Sequence, residues 1–281
     1  MHERTILSNP RVATAGHCAT RVSQPAAPLA GSAAGQQVLR RLNVHVVGKG
    51  QPLLFCNGFN CNQHIWQYLT PALSARHQLV LFDQMGTGQS DLGAYDSQRY
   101  TNLAGYAQDV VAICEALNLR EVVLLGHSAG AMIAMLAALQ APRYFAKAVF
   151  IAASPRYLNA PGYYGGFEED AVLDLLRAME GDYQNWASTF ATMLIGQGQA
   201  VPLGYELAGY FCQSDPVIAK RFAYLTFFTD NRADLPRFQL PTLLLQCSDD
   251  VAVPAEVADY LLAHLPQARL TVLQATGHCP T

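Results

Sequence analysis

A glycine-flanked serine between two apolar runs constrains this chain more than any other stretch. Glu121-Val-Val-Leu-Leu-Gly126-His127-Ser128-Ala129-Gly130-Ala-Met-Ile-Ala-Met-Leu reads as a strand, a sharp turn and a helix of small apolar residues. In that setting Gly-x-Ser-x-Gly is the pattern of a nucleophile elbow. The serine stands on a strained strand-to-helix turn, and the glycines leave room where a Cβ would strike neighbouring backbone. Ser128 would then sit at a helix N-terminus, where unsatisfied N–H groups favour negative charge developing on a bound molecule. A serine that merely caps a buried helix can carry the same five letters. The apolar strand before it and the apolar helix after it favour the nucleophile.

With 281 residues, 51% of them hydrophobic and 14% charged, the chain can bury one large core or a core plus a cap. A net charge of −3 offers no basic field for nucleic acid or an anionic membrane, so a small neutral or apolar ligand fits better. No apolar stretch approaches the roughly 20 residues that span a bilayer, and the N-terminus lacks the apolar region of a secretory signal. Seven cysteines, Cys18, Cys56, Cys61, Cys114, Cys212, Cys247 and Cys279, form no Cys-x-x-Cys pair and lie mostly in apolar runs. They read as reduced thiols of a cytoplasmic protein. A metal site drawn from Cys56, Cys61, His64 and Cys279 matches no ligand spacing, so neither a metal nor another cofactor is expected.

Residues 1–36 are rich in Ala, Ser, Gly, Pro and Thr without periodicity and read as a disordered extension, with a transit peptide as the alternative. From Val38 to Val47 the apolar positions alternate imperfectly. With the turn Gly48-Lys49-Gly50-Gln51, they predict a hairpin feeding a buried strand at Leu53–Cys56. Strands and helices then alternate: a short helix around Ile65–Leu73, a strand at Gln78–Phe82, a helix over 103–117, a strand ending at Gly126, a helix from Ser128 to Gln140 and a strand at Lys147–Ala153. The rhythm breaks over 155–236, where aromatic-rich helical patterns predict an inserted helical cap. It resumes with a strand at Thr242–Cys247, a helix at Ala255–Leu265 and a strand at Leu270–Gln274. The expected architecture is α/β, with a core of 37–154 and 237–281 around a mainly parallel sheet and ligands beyond the carboxyl ends of its strands.

A serine hydroxyl needs a base to take its proton, and that base needs a carboxylate to fix its tautomer. In the elbow fold these follow in the order Ser, Asp, His. Asp250, in Ser248-Asp249-Asp250-Val-Ala-Val-Pro254, and His278, in Ala275-Thr276-Gly277-His278, both follow apolar strands. Asp249 is the neighbouring candidate for the carboxylate. His127 projects differently from the serine beside it, and His45, His64, His77 and His264 read as structural. The two oxyanion donors would be the amides of Ala129, after the nucleophile, and Phe59, in the loop after the first buried strand. Asp83-Gln84-Met85-Gly86-Thr87-Gly88-Gln89-Ser90-Asp91 lacks the third glycine of a dinucleotide loop and reads as a structural turn.

These residues resemble the α/β-hydrolase superfamily from about Gln37 onward, and within it the RsbQ-like proteins of bacterial sigma-B stress signalling, relatives of the plant karrikin and strigolactone receptors. The narrower marks are Met85 in place of the usual arginine, Tyr157-Leu158-Asn159, Tyr163-Tyr164-Gly165-Gly166-Phe167-Glu168-Glu169, Ser214-Asp215-Pro216-Val217-Ile218-Ala219 and Gly277-His278-Cys279-Pro280. The resemblance implies Ser128, Asp250 and His278 as a triad, a four-helix V-shaped lid over 155–236, an apolar pocket and hydrolysis of a small ester or lactone. It also implies a signalling role through a PAS-domain phosphatase partner. Such proteins continue into a last helix past the histidine loop, whereas this sequence ends at Thr281. The expectation is a shortened form in which His278 lacks a downstream anchor.

Overall fold

In a computed structural model of the chain, residues 3–7, 32–196 and 201–280 are described. The strands are β1 (Arg4–Leu7), β2 (His45–Val47), β3 (Gln51–Cys56), β4 (His77–Leu81), β5 (Val122–His127), β6 (Phe145–Ile151), β7 (Thr242–Asp249) and β8 (Ala268–Thr276). They form one sheet in the order β1-β8-β7-β6-β5-β3-β4-β2. Only the β2–β4 pair is antiparallel. Helices α1 (Ala33–Arg41), α2 (Thr70–Ser74), α3 (Leu103–Ala116) and α4 (Ala129–Gln140) precede β6. Four more, α5 (Glu169–Gly181), α6 (Tyr183–Ile195), α7 (Val201–Cys212) and α8 (Pro216–Phe228), lie between β6 and β7, and α9 (Ala255–His264) joins β7 to β8.

The central strands are apolar throughout because helices cover both faces of a parallel sheet. Leu54, Phe55 and Cys56 of β3 and Val122 and Leu124 of β5 are fully buried. Helix α4 is apolar on every side, which is the pattern of a helix enclosed by the core. Register sets the site: Cys56 pairs with Gly126, and His127 with Ile151, so β3, β5 and β6 end side by side. Asp249 of β7 lies beside Thr276 of β8 and brings the next two carboxyl ends together.

Three readings of the N-terminal third differ from the structure. Val38 belongs to α1 and not to a strand. Ser32 accepts the amide of Gly35 as N-cap, and Leu39 and Leu42 are buried. The spacing of Val38 and Leu42 is helical, and the imperfect alternation masked it. There is also no β2–β3 hairpin. β2 and β3 flank β4, with Val47 opposite Leu79 and Gln51 opposite His77, so the turn crosses the start of β4. A Cβ at Gly48 (φ +79°) would lie 2.3 Å from the His77 carbonyl, which is why this turn needs glycine. Finally, the span 1–36 is not uniformly without structure. Arg4–Leu7 adds a parallel strand to β8, with Arg4 opposite Leu270 and Leu7 opposite Leu273, and α1 begins at Ala33. Pairing with a strand some 260 residues away overrides the local composition. Residues 8–31, with Cys18, lie outside the described residues.

The Asp83–Asp91 loop is the tight turn that its glycines suggest. Its centre is the Asp83 carboxylate, which accepts the amides of Gln63 and Gln89, each at 2.9 Å, and the Asn43 side chain at 2.7 Å. Met85 is fully buried. Among the described residues, no helix is long and apolar enough to cross a membrane.

Candidate active site

Ser128 joins β5 to α4 with φ +54° and ψ −124°, a conformation that costs a non-glycine residue roughly 1–3 kcal/mol. The flanking glycines make it possible. A Cβ at Gly126 would lie 2.5 Å from the Ala131 Cα, and one at Gly130 would lie 2.3 Å from the Cys56 carbonyl oxygen. Ser128 does not cap its helix through the side chain. Its Oγ lies 2.8 Å from His278 Nε2 and 3.1 Å from the Tyr157 hydroxyl.

His278 is buried, and its Nδ1 lies 3.0 Å from each Asp250 carboxylate oxygen. The Asp250 side chain is fully buried and takes three further donors. The amides of Ala252 and Val253 bond Oδ1 at 2.9 and 3.0 Å, and Gln246 Nε2 bonds Oδ2 at 3.2 Å. Burial pushes the carboxyl group up, but His278 and the two amides outweigh it, and the group is held below the usual aspartate value. An ionised Asp250 accepts the His278 Nδ1–H and leaves Nε2 free to accept the serine proton. Asp249 is exposed, and its carbonyl accepts the Gly277 amide, so Asp250 is the aspartate that faces the histidine.

Three contacts with earlier parts of the chain hold the His278 loop. The His278 amide donates to the Leu194 carbonyl of α6 at 2.7 Å, and the Gly277 amide donates to Asp249. The His278 carbonyl lies 2.8 Å from His127 Nε2. A carbonyl can only accept, so His127 carries its proton on Nε2. Burial, and then the neighbouring His278, hold the His127 imidazole down to about 3, so it is neutral near pH 7. Sequence reasoning set His127 aside and used Tyr157 only as a mark of resemblance. The structure brings both into contact with the site. Two of the other histidines lie elsewhere: His45 contacts Asn43, and His264 stacks on Tyr260.

Gly58 carries the β3 loop against the elbow, since a Cβ there would lie 2.5 Å from His127 Nδ1 and 3.4 Å from the Ser128 Cβ. Among the described residues, the amides of neighbouring Phe59 and of Ala129 have no protein acceptor. The Phe59 ring meets Trp186, Phe190, Phe211, Phe222 and Phe227 edge-on or tilted at 5.8–6.3 Å between centroids. Of these rings, Phe59, Phe190, Phe211 and Phe227 line a cavity at the serine. Ser128, Tyr157 and His278 reach into it, and its other walls include Phe167, Leu194 and Leu207. Most of its lining is apolar, as in small-molecule sites, with polar groups from Ser128, Tyr157, His127, His278 and Thr226. Cys61 and Cys279 also line it, with thiols that burial pushes up, Cys61 to about 12.

Comparison with known proteins agrees with this architecture. Residues 51–280 match the alpha/beta hydrolase fold. A karrikin insensitive 2 receptor of Petunia hybrida is 36% identical over 240 residues, covering 85% of this chain and 89% of its own. A strigolactone esterase of Arabidopsis thaliana is 35% identical over 246 residues, covering 86% of this chain and 91% of its own. The solved structure of a hydrolase from Oleispira antarctica superposes with a TM-score of 0.85 at 36% identity, covering 87% of this chain and 90% of that one. A match running through both the elbow and the histidine loop leaves one conclusion: the chain belongs to the alpha/beta hydrolase fold family.

Proposed function

We propose that the chain is a serine hydrolase that cleaves a small, apolar carboxylic ester or lactone through an acyl-serine intermediate. The observation that carries this reading is the unbroken chain of hydrogen bonds from Asp250 through His278 to a strained, cavity-facing Ser128. Ser128 Oγ attacks the substrate carbonyl carbon while His278 Nε2 takes the hydroxyl proton, and Asp250 stabilises the imidazolium so formed. The amides of Phe59 and Ala129 receive the carbonyl oxygen as it becomes an oxyanion. When the C–O bond to the alcohol breaks, His278 returns its proton to the leaving oxygen. Water then attacks the acyl-serine, gives a proton to His278 and releases the acid, and that proton goes back to Ser128. In a lactone the alcohol and acid remain one molecule. The Tyr157 hydroxyl donates to Ser128 Oγ and holds the attacking oxygen in line.

The test is hydrolysis of p-nitrophenyl acetate by the purified chain and by Ser128→Ala. Turnover is expected to vanish in the variant, and equal turnover would refute the reading.

A second reading adds ligand sensing to the same chemistry. Its support is the bond from the His278 amide to Leu194, which ties the catalytic loop to the inserted helices, together with receptors and esterases among the relatives. In this reading residues 155–236 form a lid whose state reports the acylated site, and the partner is the PAS-domain phosphatase of sigma-B stress regulation that the resemblance implies. Binding of purified phosphatase to wild type and to Ser128→Ala, with and without ester, tests it. No binding in any state would refute it.

A further inference from the structure

Beside the serine cavity lies a second, more open one, with Tyr68 exposed at its rim, and the two share Leu207 and Cys279 as walls. Their chemistry differs. The first is lined by aromatic and aliphatic side chains around the serine. The second has Ile65 and Leu203 on its apolar side and a carboxylate, Glu206, between two phenols, Tyr68 and Tyr210. The Tyr68 hydroxyl donates to Glu206 at 2.9 Å, and Tyr210 and Gln67 also donate to it. With those donors already committed to Glu206, the oxygens can offer an incoming molecule only lone pairs, and the carboxylate adds negative charge. No Lys or Arg lines either cavity among the described residues.

The position of this cavity relative to the reaction is informative. A bound ester has its carbonyl carbon at Ser128 Oγ, its carbonyl oxygen toward the amides of Phe59 and Ala129, and its leaving oxygen toward His278, which must protonate it. One of the two shared walls, Cys279, directly follows that histidine.

Resting on the hydrolase reading, we infer that the second cavity is the leaving-group subsite. It selects esters whose alcohol part carries a hydrogen-bond donor, best a protonated amine, that meets Glu206 and the tyrosine oxygens. A carboxylate at that place is disfavoured by like charge.

The experiment compares kcat/KM for phenyl acetate, 4-(dimethylaminomethyl)phenyl acetate and 4-carboxyphenyl acetate within each enzyme, so that any general loss from a substitution cancels in the ratio. Wild type is expected to prefer the amine over the carboxylate by about tenfold, the size of one charge-assisted hydrogen bond partly exposed to water. Glu206→Gln should bring that ratio close to one. Leu203→Arg, which places a cation in the same cavity, should reverse it. The same ratio in wild type and both variants, or no preference in wild type, overturns the subsite. If phenyl acetate itself is not cleaved in a Ser128-dependent way, the hydrolase reading fails, and the subsite falls with it.

Discussion

Replacing Asp250 with asparagine tests the site at the point where geometry permits one outcome. The carboxylate accepts the His278 Nδ1–H, two backbone amides on Oδ1 and the Gln246 amide on Oδ2. An asparagine has one acceptor oxygen. Two amides outweigh one side-chain donor, so that oxygen turns toward Ala252 and Val253, and its NH2 faces His278 and Gln246. His278 must then accept at Nδ1 and carry its proton on Nε2, where it can no longer take the serine proton. For a base locked in the wrong tautomer the expected fall in kcat is about 10⁴-fold, or roughly 5.4 kcal/mol of transition-state stabilisation. The fold loses about 1–3 kcal/mol from the mismatched Gln246 donor. Initial rates on p-nitrophenyl acetate, read beside circular dichroism and a melting curve, check both parts. Asp249→Asn, at the exposed neighbour, should change the rate less than twofold, an effect of a few tenths of a kcal/mol. A loss under tenfold in a folded Asp250→Asn, or an equal loss in Asp249→Asn, would refute the assignment of the carboxylate.

Tyr157→Phe removes the hydroxyl 3.1 Å from Ser128 Oγ and leaves the ring against Phe227, so kcat/KM should fall by roughly two- to tenfold, the worth of one neutral hydrogen bond, with the melting temperature preserved. An unchanged rate would make that hydroxyl a bystander. His127 gives a pH prediction. Its imidazole is held at about 3 against an ordinary 6.5, so below pH 6.5 the unfolded chain binds a proton that the native state does not. Stability is intact above pH 6.5 and falls by about 1.4 kcal/mol per pH unit as pH drops from there toward the folded value. His127→Gln, whose amide can still donate to the His278 carbonyl, should remove that slope between pH 6 and 4.5 in urea titrations. Parallel slopes in the two proteins would contradict a neutral, buried His127.

Much of the fold was legible because a parallel sheet buries its central strands on both faces. The runs Leu53–Cys56 and Val122–Leu125 are strands for that reason, and Thr242–Cys247 lies in a third, with Leu243 exposed. The same signal singles out Ser128, Asp250 and His278 as candidates, since each comes after an apolar strand, and their side chains meet in the structure. The adjacent aspartates were harder to separate, because one residue of strand end decides which carboxylate points inward, and the β7–β8 register shift between Cys247 and Asp249 is not written in the local sequence. Long-range pairing explains the other misreadings. Nothing near Thr5 and Ile6 announces β8 as a partner, and nothing near Val47 says that β2 crosses to β4.

Contacts to the catalytic loop were invisible for a related reason. Adjacent residues on a turn project apart, and that correctly keeps His127 from acting on Ser128. The same divergence turns His127 toward the carbonyl of His278, whose amide is held by α6. Phe190 and Leu194 on α6 also form the cavity wall, so one helix sets both the shape offered to the acyl group and the position of the base. On the proposed hydrolase reading, a change that moves the α6 backbone at Leu194 is therefore expected to shift His278 against Ser128 and to alter binding and turnover together.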